Sequence, residues 1–199
     1  MTAPAPSDSE APLHGVRVLD LTRLLPGPVC TLHLADLGAD VIKVEDTAAG
    51  DYARALGAKP GATSAFFRMV NRNKRSVALD LKDARGRDAF LALARHADVV
   101  VESFRPGVVA SLGVDYEAVR AVRPSIVYAS ITGYGQTGPR AKAAGHDINY
   151  LGYAGVLDQT GTRGGPPALS NLHRTDLLGG AMTAAVAILA AVVAAQRTG

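Results

Sequence analysis

Two residues of this sequence have side chains suited to catalysis, and each admits two interpretations. His146 lies in the stretch "AGHDINYLGYAG" and Asp176 in the stretch "NLHRTDLLGG". An imidazole titrates close to neutral pH, which suits a catalytic base, but a histidine beside an aspartate can equally be a hydrogen-bonded structural residue. Asp176 precedes a long apolar segment, so it either caps a helix or, if partly buried, acts as a base or nucleophile with a raised pKa.

A group of cations lies nearer the N-terminus. Arg72, Lys74, Arg75 and Lys82 surround the apolar run "SVALDL", and Arg105 follows another such run in the segment "FRPG". The first four are either a solvated basic edge or a phosphate site, because arginine binds phosphate oxygens through two parallel charge-assisted hydrogen bonds. The cations are scattered and form no long basic run, so they favour a small polyanionic ligand over nucleic acid.

The segment "GYGQTG" (133–138) matches the dinucleotide-binding pattern G-x-G-x-x-G, but its context argues against such a site. The third glycine should open a helix, whereas Pro139 follows it directly and Gly145 interrupts the next turns. We interpret the glycines as a tight turn or a close approach of the backbone to a ligand. The sequence lacks the P-loop, H-E-x-x-H and G-x-S-x-G patterns, so nothing in it supports phosphoryl transfer, zinc proteolysis or α/β-hydrolase chemistry.

The composition predicts a soluble globular protein of the cytoplasm. Of the 199 residues, 48% are hydrophobic and 20% are charged, which is enough for one domain or a large part of a bigger one. The single cysteine, Cys30, excludes an internal disulfide and a multi-cysteine metal site. We expect a disordered tail over residues 1–12. The apolar segment 177–196 is long enough to cross a bilayer but consists mostly of alanine, so we expect a helix buried on all sides and no membrane association.

Apolar runs rich in β-branched residues alternate with amphipathic segments, which is typical of βα units around a parallel sheet. We predict helices at 29–38, 83–97 and around 115–121, with Asp83 as an N-cap and Gly38 as a C-terminal stop. The fold class is α/β: a Rossmann-like open parallel sheet with helices on both faces, whose ligands bind beyond the carboxyl ends of the strands. The predicted strands are 16–21, 40–45, 76–81, 98–104 and 125–132.

Three long segments resemble the class III CoA-transferase superfamily (CaiB/BaiF type). They are "VRVLDLTRLLPGPVCTLHLADLGADVIKVE", "SFRPGVVASLGVDYE" and "IVYASITGYGQTGPRAKAAGHDINYLGYAGVL". The motif "AGHDINY" is most similar to the α-methylacyl-CoA racemase branch. The resemblance implies that residues 13–199 are the N-terminal portion of the family's large domain, in subunits that interlock as a homodimer. It also implies an acyl-CoA substrate, with no cofactor beyond the CoA moiety.

The same resemblance implies roles for individual residues. In the racemase branch His146 and Asp176 would be the acid/base pair, one on each face of the α-carbon. A thioester carbonyl acidifies its α-hydrogen, so one group removes that proton and the other returns one. In the transferase branch the same aspartate is instead a nucleophile that carries acyl and CoA groups covalently, and the histidine is generally lacking. The resemblance implies that the CoA thioester is contacted by Leu79, Asp80, Leu81, Lys82, Gly145, Asp147, Ile148, Asn149 and Tyr150.

Three departures from the family pattern keep other hypotheses open. Asp46 stands where the family usually has an arginine, and Ser111 where the branch often has a basic residue. The family's chains are nearly twice as long, so a second chain could supply the missing part. We expect His146 to be a base and the protein to be a 2-methylacyl-CoA racemase or epimerase. The alternatives are a CoA-transferase acting on carboxylic acids and a non-catalytic or partner-dependent CoA-binding subunit.

Overall fold

A parallel sheet of five strands forms the centre of the protein, in a computed structural model that describes residues 11–198. Every strand pairing is parallel, so all carboxyl ends lie at the same edge of the sheet. The predicted fold class is confirmed, and each predicted strand is present in a slightly shorter or shifted form. The strands run in the order β3-β2-β1-β4-β5, with bounds β1 (Arg17–Asp20), β2 (Asp40–Glu45), β3 (Arg75–Ala78), β4 (Val99–Glu102) and β5 (Val127–Ser130).

Helices connect the strands and end the described chain. The predicted Asp83 cap is confirmed, because its carboxylate accepts a hydrogen bond from the Arg85 N–H, and Gly38 lies just beyond the first helix with a φ of 98°. The helices are α1 (Pro26–Asp36), a 3₁₀-helix (Tyr52–Ala55), α2 (Ala65–Val70), α3 (Ala84–Ala94), α4 (Val108–Ser111), α5 (Tyr116–Val122), α6 (Asp147–Tyr153), a π-helix (Thr175–Met182) and α7 (Thr183–Thr198).

Helices pack on both faces of the sheet. On one face, α1 and α7 pack against the side chains of Val18 and Val101; on the other, α3 and α5 pack against Leu19 and Val100. Because neighbouring strand residues point to opposite faces, covering both faces requires apolar residues at consecutive positions. This explains why β4 is buried along its whole length and why the strands show no alternation of polar and apolar residues.

The C-terminal helix differs from the prediction. One side of α7 is buried through Ala185, Ile188 and Val192, but Val186 and Val193 are exposed, as are Leu178 and Met182 in the preceding π-helix. The expectation of a helix buried on all sides is therefore wrong for residues 11–198, since the sheet and α1 contact only one side of it. Thr175–Thr198 is also, by length and composition alone, apolar enough to cross a bilayer, which is weak support for a membrane span.

Most of the predicted N-terminal tail lies outside the described residues, which begin at Ala11. Ala11 and Pro12, the last residues of that predicted tail, form part of a turn in which the Ala11 carbonyl accepts a hydrogen bond from the His14 N–H at 3.0 Å. These two residues are therefore part of the described fold, and the prediction for residues 1–10 lies outside the described residues.

Candidate active site

His146 ends the loop that leads from β5 to α6. It occupies the N-cap position of α6 with an extended backbone, and its N–H donates to Oδ1 of Asn149 at 2.9 Å. This bond closes the first turn of α6. It also occupies the side-chain oxygen of Asn149, which is one of the predicted CoA contacts. The His146 side chain itself is exposed. An exposed imidazole does not fit the interpretation as a buried structural histidine, and it is open to a molecule approaching from solvent.

Two glycines make room for an aromatic side chain behind His146. A Cβ atom on Gly133 would lie 2.2 Å from the Tyr150 hydroxyl, and one on Gly145 would lie 2.7 Å from the Tyr150 ring. The Tyr150 hydroxyl donates to the Gly145 carbonyl at 2.7 Å, and the Tyr134 ring meets the Tyr150 ring edge to face at 5.2 Å. The "GYGQTG" segment therefore accommodates a tyrosine, and no helix starts at its third glycine, Gly138. The segment 133–138 therefore lacks the helix start with which a dinucleotide-binding pattern continues.

Asp147 connects α6 to the start of the π-helix. It is only 8% exposed, and its Oδ1 atom accepts hydrogen bonds from the Thr175 N–H (2.7 Å), the Thr175 hydroxyl (2.6 Å) and the Asp176 N–H (3.0 Å). Burial acts to raise the pKa of Asp147, but these hydrogen bonds outweigh it and leave the pKa below its usual range. The carboxylate predicted to contact CoA is thus used within the protein. Its neighbour Ile148 is exposed.

Asp176 lies inside the first turn of the π-helix, whose N-cap position is occupied by Arg174. The interpretation of Asp176 as a helix cap is therefore wrong: Asp147 caps this helix from another segment. The Asp176 side chain is half-buried. Burial and the charge of Asp147 raise the pKa of Asp176, whereas the charges of His173 and His146 lower it. The Asp176 N–H donates to Asp147, the residue that follows His146, so the segments that carry the two candidate catalytic residues are in contact.

Lys74, a predicted phosphate ligand, lies inside the fold. Its side chain is 1% exposed, and its ammonium group contacts the Asp20 carboxylate (3.1 Å), the Pro28 carbonyl (2.8 Å) and the Asn71 side-chain oxygen (2.9 Å). An ammonium group has three protons to donate, and all three have partners here. We therefore correct the prediction for Lys74 and assign it to the stability of the fold.

The neighbouring arginines are exposed but paired. Arg72 forms an ion pair with Asp36, and the Arg75 guanidinium contacts both carboxylate oxygens of Asp40 at 2.7 Å. Their side chains are 54% and 65% exposed, so a stronger anionic ligand could still compete for them. Arg105 is likewise exposed, in the loop after β4.

Two of the predicted CoA contacts line an open cavity at the carboxyl end of β3. Leu79 and Asp80 form one side of this cavity, which has a volume of about 410 Å³ and extends to the start of α3 at Asp83 and Arg85. Leu81 instead packs against the apolar core, and Lys82 is exposed. The cavity thus places two of the predicted CoA contacts, Leu79 and Asp80, at the edge of the sheet where ligands are expected.

A slightly larger cavity, of about 450 Å³, lies at the opposite edge of the sheet. It is lined by residues that precede strands, including His14, Asp98, Arg123 and Ser125, and contains no predicted site residue. We place the candidate site at the carboxyl edge because the chain reaches His146 from the carboxyl end of β5, and Asp147 connects that segment to Asp176 by a hydrogen bond. Within residues 11–198, no group of three or more His, Cys, Asp or Glu side chains is arranged to hold a metal ion.

Known proteins resemble this chain in sequence and in structure. Residues 13–199 match the model of CoA-transferase family III. Succinyl-CoA:glutarate CoA-transferase of Mus musculus is 45% identical over 96% of this chain and 44% of its own length, and alpha-methylacyl-CoA racemase of Homo sapiens is 37% identical over 94% and 45%. The crystal structure of a CAIB/BAIF family protein from Brucella suis superposes with a TM-score of 0.89 at 38% identity, over 94% of this chain and 50% of that one.

These similarities extend over nearly all of the chain, which spans about half the length of the curated relatives it matches. They include both kinds of enzyme considered from the sequence, CoA-transferases and a racemase. The chain belongs to CoA-transferase family III.

Proposed function

We propose that this chain carries the reactive site of a CoA-transferase that moves CoA between carboxylic acids, with Asp176 as the nucleophile. The observation that carries the proposal is the half-buried Asp176 carboxyl, in a chain more similar to CoA-transferases than to the racemase. This choice differs from the racemase expected from the "AGHDINY" motif, because the more similar curated relatives are transferases.

Asp176 would react through its carboxylate. One carboxylate oxygen attacks the thioester carbonyl carbon, the carbon–sulfur bond breaks, and CoA leaves as a thiolate, which produces an aspartyl anhydride. The thiolate then attacks the aspartyl carbonyl, releasing the first acid as a carboxylate and leaving CoA on Asp176 as a thioester. An acceptor carboxylate reverses the two steps. Each step needs only the aspartate and the two substrates, so no further cofactor is required.

The width of the sheet suits a long ligand such as CoA. The Leu79–Asp80 cavity follows β3 at one side of the sheet, whereas His146 follows β5 at the other side. Four strand spacings separate β3 from β5 in the strand order, a distance of about 19 Å at 4.8 Å per spacing. We propose that the cavity takes the nucleotide end of CoA and that the thioester reaches Asp176.

The racemase remains the second candidate, and His146 is the observation that favours it. Proton removal and return at an α-carbon needs two acid/base groups, and the exposed imidazole and the half-buried carboxyl lie on segments that are hydrogen-bonded to each other. A carboxyl whose pKa is raised by burial is also better suited to donate a proton near neutral pH.

One experiment separates the two functions. The protein is incubated with succinyl-CoA and hydroxylamine, and the peptide containing residue 176 is examined by mass spectrometry for an aspartyl hydroxamate. A transferase yields the hydroxamate in the wild type and in His146→Ala, and none in Asp176→Asn. A racemase yields no hydroxamate, but it exchanges the α-hydrogen of a 2-methylacyl-CoA with deuterium from heavy water, and His146→Ala abolishes that exchange. If both experiments fail, the partner-dependent CoA-binding subunit is favoured. The homodimer and the cytoplasmic location stay predictions.

A further inference from the structure

We propose that Asp147 is a positioning residue of this site, whose carboxylate binds the start of the π-helix and holds Asp176 in place relative to His146. The proposal rests on the function proposed for Asp176 and concerns a residue whose side chain would not itself react.

The carboxylate of Asp147 connects the neighbours of both candidate catalytic residues. Asp147 directly follows His146 in the chain, and its Oδ1 atom receives the N–H groups of Thr175 and Asp176. The Thr175 hydroxyl completes the connection by donating to Oδ1 and by contacting the Asp147 carbonyl at 3.1 Å. The first N–H groups of a helix have no partner within the helix, and a charged acceptor binds them more strongly than a neutral one.

After α6, the chain between the two residues contains no further helix or strand that would fix their separation. Residues 154–173 form turns, irregular segments and one isolated bridge between Gly161 and Pro167, and most of these residues are exposed. The contact between α6 and the π-helix therefore depends on tertiary interactions, among which are the partly buried hydrogen bonds of Asp147. A displacement of about 1 Å between reacting groups costs on the order of 100-fold in rate, so a connection at this point would matter for turnover.

Asp147 also influences the charge on Asp176. The ionisable groups whose charges act on the Asp176 carboxyl are Asp147, His173 and His146. The charge of Asp176 in turn raises the pKa of the Tyr150 hydroxyl. Of the groups that act on Asp176, only Asp147 is an anion, and its charge raises the pKa of Asp176. Removing that charge while keeping the hydrogen bonds should therefore lower the pKa of Asp176, which a merely structural residue would not do.

The test compares Asp147→Asn and Asp147→Ala with the matched control Asp158→Asn, which removes an exposed carboxylate from the irregular segment after α6. Asparagine keeps an oxygen that can accept from Thr175 and Asp176, whereas alanine keeps none. Two properties are measured on the full chain: the exchange rates of the Thr175 and Asp176 amide hydrogens by NMR, and the pH profile of kcat/KM for CoA transfer from succinyl-CoA.

In Asp147→Ala we expect exchange of both amides to speed up about tenfold or more and kcat to fall about 100-fold with KM for succinyl-CoA little changed. In Asp147→Asn we expect most of the amide protection and activity to remain, with the acidic limb of the pH profile displaced to lower pH. Asp158→Asn should behave as the wild type.

Wild-type exchange rates and wild-type kcat/KM in Asp147→Ala would overturn the proposal. A wild-type chain without any CoA transfer would instead count against the proposed function. Even in that case, the amide exchange rates test whether Asp147 holds the start of the π-helix. Unchanged rates in Asp147→Ala would overturn this role. Rates that rise in Asp147→Ala but not in Asp158→Asn would support it.

Discussion

Replacing Lys74 by methionine should destabilise the protein strongly, because the ammonium group neutralises a buried carboxylate. The side chains of Lys74 and Asp20 are 1% and 0% exposed. Methionine has a stem of similar length, so the substitution removes the charge with little loss of packing. The Asp20 carboxylate would then stay buried. Its remaining favourable interactions would be the hydrogen bonds from the Thr22 and Thr31 hydroxyls and the charge of the more distant Lys43.

The magnitude follows from the cost of an uncompensated buried charge. Removing one partner of a buried ion pair typically costs about 3–5 kcal/mol. We expect the lower end, about 3 kcal/mol, because the two threonine hydroxyls still donate to Asp20 and the charge of Lys43 still acts on it. Against a typical free energy of unfolding of about 5–15 kcal/mol, such a loss is easily measured.

The ion pair of Lys74 and Asp20 should also affect the pH at which acid unfolds the protein. Burial acts to raise the pKa of Asp20, but Lys43, Lys74 and the threonine hydroxyls outweigh it and lower the pKa from 3.8 to about 2. A lowered pKa stabilises the folded state above pH 3.8, and this contribution, on the order of 2 kcal/mol, is lost as the pH falls towards 2. Lys74→Met raises the pKa of Asp20 again, so the variant should begin to unfold at a higher pH.

Urea denaturation of the wild type, Lys74→Met, Asp20→Asn and the double variant measures the interaction directly. We expect the double variant to be less destabilised than the sum of the single ones, since a neutral asparagine needs no counter-charge. Arg85→Met is the control: it breaks an ion pair whose arginine is 94% exposed, and such pairs contribute little. A loss below about 1 kcal/mol in Lys74→Met at pH 7 would refute the reasoning.

Three further predictions concern packing, capping and the thiol. Gly133→Ala should lower the free energy of unfolding by about 1–3 kcal/mol in urea denaturation, because the added Cβ would lie 2.2 Å from the Tyr150 hydroxyl. Gly152→Ala in α6 is the control and should not destabilise the protein, because nothing lies within 4 Å of its added Cβ. Equal losses of stability in the two variants would contradict the packing argument. Ser64→Ala should cost about 1 kcal/mol in the same assay because the hydroxyl caps α2, and an unchanged midpoint would argue against the cap. Cys30 is buried and its pKa is raised to about 12 by burial and the charge of Asp20, so a thiol reagent at pH 8 should modify it only in urea; rapid reaction of the folded protein would show that the thiol is accessible.

The sequence alone was sufficient to predict the sheet. Short apolar runs predicted all five strands, and those of β1, β2 and β4 are continuous because these strands are covered on both faces. The helix that follows Asp83 was predicted from local hydrogen-bonding chemistry, which acts within one turn and is therefore visible in the sequence. The catalytic candidates His146 and Asp176 were also found from residue types, motif and family resemblance.

Only the tertiary structure decided what those residues contact. Lys74 resembles its exposed neighbours Arg72 and Arg75 in the sequence, yet its ammonium lies beside Asp20, 54 residues away. Asp176 stands where a helix cap is expected, but the cap is Asp147, 28 residues from the Thr175 it binds. Hydrogen bonds and ion pairs between distant segments leave no local pattern, because they form only once the sheet has brought those segments together. The sequence by itself determined the fold and the candidate residues; their burial, partners and charge environment required the folded chain.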